Sequence, residues 1–269
     1  MKEAVLLAIA HGSVEPAAGL ALESLMDRVR ARSPGRLAEL AYVDHTAPSV
    51  SQALARLAPS DPVIVVPLLL SAASHSKSDI PAAISAARLV DPARAIAYGR
   101  PLGPHPLLLA ALDRLLREAG ATSASAVILL AAGSADPDAN ADVAKMARLL
   151  WEWRGGAGPV EPAFASATSP GAKEALERLH RLGHRDVVVA PYFLAPGRLP
   201  LSATVLGVPM SGYLADTDEV ADLVEERFGE AATTDVRMNC DVCRYRTPWP
   251  GRGQVVGAAQ VVHAHPADR

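Results

Sequence analysis

The chain has 269 residues, of which 50% are hydrophobic and 20% charged, and no apolar run approaches the roughly 20 residues of a membrane-spanning helix. This length suits one large domain or two of roughly 130 residues, each able to bury a core. A formal net charge of -3 with only 4% aromatic residues excludes the basic surface of a nucleic-acid-binding protein and argues against base-stacking platforms.

The first predicted strand is the apolar run Val5–Ile9, which ends at Ala10-His11-Gly12-Ser13. An apolar run stopped by a glycine and followed by a helical pattern is typical of a buried parallel strand and its βα loop. His11 therefore stands at the carboxyl end of a strand, where open α/β sheets bind ligands. Because this strand begins so near Met1, it leaves no room for a cleavable leader, and we expect a cytoplasmic protein.

Three further strand–helix units follow in the first half. Their strands are predicted over residues 37–44, 62–70 and 94–98, and their helices from about 48, from about 80 and over 106–119; the helix of the first unit is predicted over 16–33. The second strand ends at Asp44, and the third leads into a loop that carries His75. Asp79 is a plausible N-cap of the helix after that loop. Alternating short strands and helices predict a parallel sheet with right-handed crossovers.

The same pattern then starts again in the second half. The matching segments are 127–134 with 6–13, 163–170 with 41–48 and 187–194 with 63–70. The offset drifts only from 121 residues (132 against 11) to 124 (191 against 67), which indicates a tandem duplication with small insertions. We therefore predict an α/β protein of two tandem flavodoxin-like lobes, each a four-stranded parallel sheet flanked by helices.

The predicted boundaries follow from the repeat. The N-terminal lobe covers residues 1–121, the degenerate C-terminal lobe covers 122–230, and residues 231–269 form a loosely attached extension rich in proline and glycine.

The duplication provides an internal comparison for His11, Asp44 and His75. In the second half their counterparts are Ala132, Ser166 and Leu199. The apolar strands and turn residues survive in the second copy, so the fold alone does not require histidines or an acid at these positions. If the strand order begins 2-1-3, the three side chains converge on one edge of the first sheet. We infer a single site in the N-terminal half.

Two neutral imidazoles and a carboxylate suit a divalent first-row metal ion, and three ligands with an open position are typical of a site that exchanges something. A histidine can also accept a proton at neutral pH. The alternatives are that the histidines cap strand ends and that Asp44 is the N-cap of the next helix. His45, on the opposite face of a continuing strand, and His105, between two prolines, are interpreted as structural or surface residues.

Several motifs together carry a resemblance to a known family. They are Ala10-His11-Gly12-Ser13, Tyr42-Val43-Asp44, the stretch from Pro67-Leu68-Leu69-Leu70 through His75 to Asp79-Ile80-Pro81, Leu102-Gly103-Pro104-His105-Pro106, and 191–198. In combination they resemble the class II sirohydrochlorin chelatases, in the long form built from two fused halves. The resemblance implies insertion of Fe²⁺ or Co²⁺ into sirohydrochlorin, on the way to sirohaem or a cobalamin precursor. His11 and His75 would bind the metal and accept pyrrole protons, and Asp44 would stand where many relatives have glutamate.

The tetrapyrrole substrate carries many carboxylates, so the rim of a cleft between the lobes should offer donors. The candidates are Ser13, Lys77, Arg100 and Arg198. Two rival functions use the same residues. A metal-binding chaperone or sensor would need no tetrapyrrole, and a carrier of an already metallated ring would not need Asp44. The protein is expected to be a monomer or homodimer.

Cys240 and Cys243 stand in a Met-x-Cys-x-x-Cys segment that resembles an element of some long-form members. Two thiolates supply only half of a tetrahedral or cubane site. Three interpretations remain: a [4Fe-4S] cluster shared across a dimer or completed by other ligands, a zinc or iron-delivery site assisted by His263 and His265, and a redox dithiol. The resemblance favours the cluster.

Overall fold

A computed structural model describes residues 3–233. Its strands are β1 (Val5–Ala10), β2 (Ala38–Tyr42), β3 (Val63–Pro67), β4 (Ile96–Tyr98), β5 (Ala126–Ala131), β6 (Val160–Phe164) and β7 (Val187–Pro191). Its helices are α1 (Pro16–Arg32), α2 (Val50–Arg56), α3 (Ile80–Val90), α4 (Pro106–Glu118), α5 (Pro137–Trp153), α6 (Ala172–Arg181), α7 (Arg198–Leu201) and α8 (Asp218–Ala232). A π-helical turn covers His75–Asp79, and 3-10 turns cover Ser202–Leu206 and Leu214–Asp216.

The first sheet is parallel, with strand order β2-β1-β3-β4. All six residues of β1 are buried, because helices cover both faces of this central strand. Leu6 and Ala8 belong to the core on one face, and Leu7 and Ile9 to the core on the other. The α/β prediction and the 2-1-3 start of the strand order are confirmed.

The second sheet is also parallel, with order β6-β5-β7, and has three strands in the part of the chain that the structure describes. The prediction of four strands in each lobe is therefore wrong for this sheet. The fourth segment makes a single bridge, in which Val189 N donates to Pro209 O at 2.8 Å and Ser211 N donates to Val189 O at 2.9 Å. Pro209 has no N–H, and Gly207 and Gly212 flank the segment, so the run is too short to continue as a strand.

The two sheets face each other across a shared layer of helices. One continuous apolar core joins β1 and β5 through residues of α1, α4, α5 and α8. Helices α2 and α3 cover the outer face of the first sheet, and α6 covers the outer face of the second.

The last helix of the second repeat lies against the first repeat. Helix α8 packs on α1, α4 and β3, while α4 packs on α5 and β7. Arg227 of α8, 1% exposed, donates to the carbonyl oxygens of Pro101 (3.0 Å) and Leu102 (2.8 Å). The predicted boundaries at residues 121 and 230 therefore describe the sequence repeat, whereas the packing crosses them. Across residues 3–233, no helix combines the length and apolarity that crossing a bilayer requires.

Candidate metal centre

The candidate site lies where β1, β2 and β3 end side by side. Asp44 N donates to His11 O at 2.8 Å, which extends the pairing of β1 and β2 into their loops. Thr46 Oγ1 donates to Ser13 O at 2.9 Å and accepts from Ser13 N at 3.1 Å. Gly12 permits this close approach, because it has a φ of 95° and a Cβ there would stand 1.8 Å from the Asp44 carbonyl oxygen. The loops after β1 and β2 thus form one unit.

The structure brings His11 and His75 together. Their ring centroids are 4.6 Å apart and the ring planes are nearly perpendicular, at 81°. These residues are 64 positions apart in the chain (75 against 11), and they meet because β1 and β3 are neighbours in the sheet.

The surroundings of the His11 ring favour its neutral form. Its pKa is lowered from 6.5, first by desolvation, with smaller contributions from the nearby His75 and His45 rings; a hydrogen bond to Gly12 O and the Asp44 charge act in the opposite sense. The bond joins Nδ1 to Gly12 O at 3.1 Å, and a carbonyl oxygen can only accept, so Nδ1 carries the proton. The remaining nitrogen, Nε2, is then free to act as a metal ligand at neutral pH.

His75 opens the π-helical turn and is held by a carboxylate within it. Its Nδ1 lies 2.6 Å from Asp79 Oδ2, and the Asp79 side chain is 6% exposed. Asp79 stands at the N-cap position of α3, as predicted, but its side chain makes no capping hydrogen bond to this helix. The turn is anchored from β4, because Tyr98 Oη donates to Ser76 O at 2.7 Å.

Asp44 lies at the same edge but faces His45. Its side chain is 13% exposed, Oδ1 accepts from His45 N at 2.7 Å, and Oδ2 lies 3.5 Å from His45 Nε2. The alternative role as helix N-cap belongs to Ser49, whose Oγ accepts from Gln52 N at 3.1 Å. Among residues 3–233, no three His, Cys, Asp or Glu side chains are assembled in a metal-binding arrangement.

His45 joins the cluster, which the sequence interpretation missed. Its ring centroid lies 5.8 Å from that of His11. Strand β2 ends at Tyr42, so the alternation used to place His45 on the opposite face stops three residues earlier. His45 has a φ of 60°, and its counterpart Ala167 in the second repeat has a φ of 62°. The positive φ is visible only in the structure, and the signal in the sequence was a histidine next to Asp44 that the second repeat replaces by Ala167.

Two of the predicted rim donors are engaged elsewhere. Lys77 is buried, and its Nζ lies 2.5 Å from Asp136 Oδ2 and 3.2 Å from Asp138 Oδ2, at the start of α5. The prediction placed it on the rim, but the π-helical turn directs it into the contact between the two repeats. Arg100 makes a bidentate pair with Glu230 of α8, at 2.9 and 2.6 Å.

The other two predicted rim donors, Arg198 and Ser13, are not engaged in ion pairs within residues 3–233. Arg198 is exposed at the start of α7, in the second-repeat loop equivalent to the His75 loop, and no acidic partner is found for it within the described chain. Ser13 Oγ accepts from Glu15 N at 3.1 Å. His105 has the structural role predicted for it, because its Nδ1 accepts from Leu107 N at 3.2 Å and caps α4. Cys240 and Cys243 lie outside the described residues.

Comparison with known proteins gives a consistent family. The family model described as CbiX matches residues 5–119 and 126–231. A sirohydrochlorin cobaltochelatase of Priestia megaterium is 34% identical over 258 residues, covering 89% of this chain and 84% of that protein. A sirohydrochlorin ferrochelatase of Bacillus subtilis (strain 168) is 29% identical over 247 residues, covering 86% and 93%.

Solved structures agree with the sequence comparison. SirB from Bacillus subtilis with Fe³⁺ superposes with a TM-score of 0.74 at 26% identity, covering 87% of this chain and 98% of that one. The sirohydrochlorin chelatase SirB from Bacillus subtilis subspecies spizizenii, in complex with cobalt, has a TM-score of 0.71 at 25% identity, covering 87% and 97%. The match over both repeats shows that the chain belongs to the CbiX family.

Proposed function

We propose that this protein is a sirohydrochlorin chelatase that inserts Fe²⁺ or Co²⁺ into the tetrapyrrole, in the synthesis of sirohaem or of a cobalamin precursor. The observation that carries the proposal is the His11–His75 pair, with ring centroids 4.6 Å apart at the ligand-binding edge of the first sheet. Both histidines are replaced by apolar residues in the second repeat, although the fold there is kept. The family and the activities of the named relatives support the same conclusion.

The proposed ligands of the incoming ion are His11, His75 and Asp44. Insertion of a divalent ion strips its water, releases two pyrrole N–H protons and transfers the ion to the ring nitrogens. Neutral imidazoles hold a first-row ion without adding charge, and the lowered pKa of His11 keeps its ring in that form. As the ion leaves, the freed nitrogens of His11 and His75 can each accept one of the two pyrrole protons.

A loose site suits this task better than a preassembled one. A chaperone or sensor that retains its metal should bind the ion tightly, whereas a chelatase must hold it weakly enough to pass it to the macrocycle. Asp44 lies beside His45 at the same edge of the sheet, with its charge close enough to act on His11, and is the proposed third ligand. Weak binding of Co²⁺ by the parent protein would therefore favour transfer of the metal over storage.

The surroundings of the metal site would hold the tetrapyrrole. The macrocycle would lie between the two repeats, with Arg198 and Ser13 as donors to its carboxylates and Arg100 available only if its pair with Glu230 opens. We place the protein in the cytoplasm, as a monomer or homodimer.

A [4Fe-4S] cluster at Cys240 and Cys243 stays a proposal that rests on the sequence motif alone. Iron and acid-labile sulfide would be measured after anaerobic purification, in the parent and in the Cys240→Ala variant. Equal and negligible contents in both would rule the cluster out.

The test of the activity is an anaerobic absorbance assay with sirohydrochlorin and Co²⁺ or Fe²⁺. We expect His11→Ala and His75→Ala each to reduce the rate above background by about 100-fold or more, because each removes a ligand and a proton acceptor. His184→Ala, near the end of α6 in the second repeat, is the matched control and should keep the parent rate. Parent rates in both site variants would overturn the proposal.

A further inference from the structure

We propose that Asp79 is a positioning residue that fixes the tautomer and orientation of His75. The inference rests on the proposed function only in that it treats His75 as a ligand of the incoming ion. Asp79 Oδ2 lies 2.6 Å from His75 Nδ1, a short distance for a hydrogen bond between a nitrogen and an oxygen. The carboxylate is 6% exposed and the imidazole 27% exposed, so water screens the contact only weakly.

The direction of this bond decides which nitrogen can bind a metal. An ionised carboxylate only accepts hydrogen bonds, so the bond requires the proton to be on Nδ1 of His75. Nε2 then keeps its lone pair as the ligand atom. Histidines that bind metals commonly donate their second ring N–H to a carboxylate, which orients the ring and raises its basicity. His11 reaches the same state differently, by donating from Nδ1 to the Gly12 carbonyl oxygen.

The local backbone brings the pair together. His75 and Asp79 begin and end the π-helical turn, in which Ile80 N donates to His75 O, a hydrogen bond that spans five residues. Such turns are rare and are frequent at functional sites. The turn is held in place on two sides, by Tyr98 through Ser76 O and by the buried ammonium of Lys77.

The second repeat shows that the pair is not needed for the fold. The counterparts of His75 and Asp79 are Leu199 and Ala203, so both members are absent there together. In place of the π-helical turn, the second repeat has α7 followed by a 3-10 turn. A helix-capping role does not explain Asp79 either, since its side chain makes no capping bond to α3.

The first experiment reads the tautomer of His75 in the protein without metal, by long-range ¹H–¹⁵N correlation, with His75→Ala used to assign the signals. We expect the parent to carry the proton on Nδ1. Asp79→Ala should move the population toward the Nε2–H form, whereas Asp79→Asn, which keeps an acceptor oxygen, should retain much of the Nδ1–H form. An unchanged tautomer in Asp79→Ala would overturn the proposal.

The second experiment measures Co²⁺ affinity by titration of the same proteins, with no tetrapyrrole present. Asp79→Ala should bind Co²⁺ about 10- to 100-fold more weakly, and Asp79→Asn should lose less. Asp27→Ala, which removes an exposed carboxylate of α1, is the control and should match the parent. Parent-like affinity in both Asp79 variants would contradict the positioning role.

The two proposals fail separately. A parent that binds Co²⁺ and shows the Nδ1–H tautomer, yet does not metallate sirohydrochlorin, would refute the chelatase assignment and leave the role of Asp79 intact. If the parent metallates sirohydrochlorin but the Asp79 variants keep the parent tautomer and Co²⁺ affinity, the role of Asp79 would be refuted and the chelatase assignment would stand. In the chelatase assay, we expect Asp79→Ala to raise the KM for the metal and to leave the KM for sirohydrochlorin unchanged.

Discussion

At the scale of single residues, the protonation state of His11 sets when the site can bind an ion. Desolvation lowers the pKa of this imidazole below 6.5, so the ring is neutral, and able to bind, at pH 7. Acid converts it to the imidazolium, which has no free lone pair. The contribution of His11 to metal binding is therefore complete at neutral pH and is lost as the pH falls through the lowered pKa.

We predict that the NMR titration of His11 in the metal-free protein has a midpoint below 6.5, because burial penalises its charged form. The Cε1–H resonance would be followed from about pH 5 to about pH 8, with His11→Ala used to assign the signal. A His11 midpoint above 6.5 would contradict the electrostatic description of the site.

Gly12 is the second residue on which the site depends. We predict that Gly12→Ala lowers the free energy of unfolding by more than about 2 kcal/mol, because it adds a steric clash with the Asp44 carbonyl to the strain of a positive φ. Gly35→Ala is a matched control, since Gly35 has a φ of 99° and no atom within 4 Å of the added Cβ. Urea unfolding of both variants checks this, and equal losses would show that the contact with Asp44 is unimportant.

At the scale of elements, the π-helical turn links the candidate site to the second repeat. Its Lys77 ammonium, 1% exposed, lies between Asp136 and Asp138 at the start of α5. Because Lys77 belongs to the first repeat and both acids belong to the second, this pairing joins the two halves beside the site. The sequence analysis placed Lys77 on the rim, as a donor to substrate carboxylates, because it lies in the loop that carries His75.

We predict that Lys77→Met destabilises the protein by about 3–5 kcal/mol, because it leaves buried Asp136 without its cation. The double variant Lys77→Met/Asp136→Asn should recover part of this loss. Arg148→Met removes a comparable pair from the surface, 67% exposed at the arginine, and should change stability by no more than about 1 kcal/mol. Equal effects of the buried and exposed substitutions in urea unfolding would refute the interpretation.

At the scale of the whole molecule, the sequence predicts the first sheet well and the relation between the repeats poorly. Apolar runs such as Val63–Val66 identify buried parallel strands, and the repeat locates the strand ends that carry His11 and His75. Helix α8 belongs to the second repeat but packs on the first, and the sequence does not reveal this. The apolar face of a helix does not specify which sheet it covers. The predicted fourth strand of the second sheet does not form because Pro209 has no N–H with which to continue the pairing.

The sequence likewise predicts only part of the candidate site. The strand ends place His11, Asp44 and His75 at one edge from topology alone. The approach of His45 and the pairing of His75 with Asp79 depend on a positive φ and a π-helical turn, which periodicity does not encode. Their tertiary contacts, and those of Lys77, become visible only in three dimensions.

The central claim is that two imidazoles act on one metal ion during its transfer to a tetrapyrrole. The most direct test is the single-turnover rate of Co²⁺ insertion into sirohydrochlorin by the parent, by His11→Ala, by His75→Ala and by the double variant. Residues that act as a unit give strongly non-additive effects, so we predict that the double variant loses little more than either single variant. Losses that multiply independently, or single variants that insert the metal at the parent rate, would contradict a shared ion.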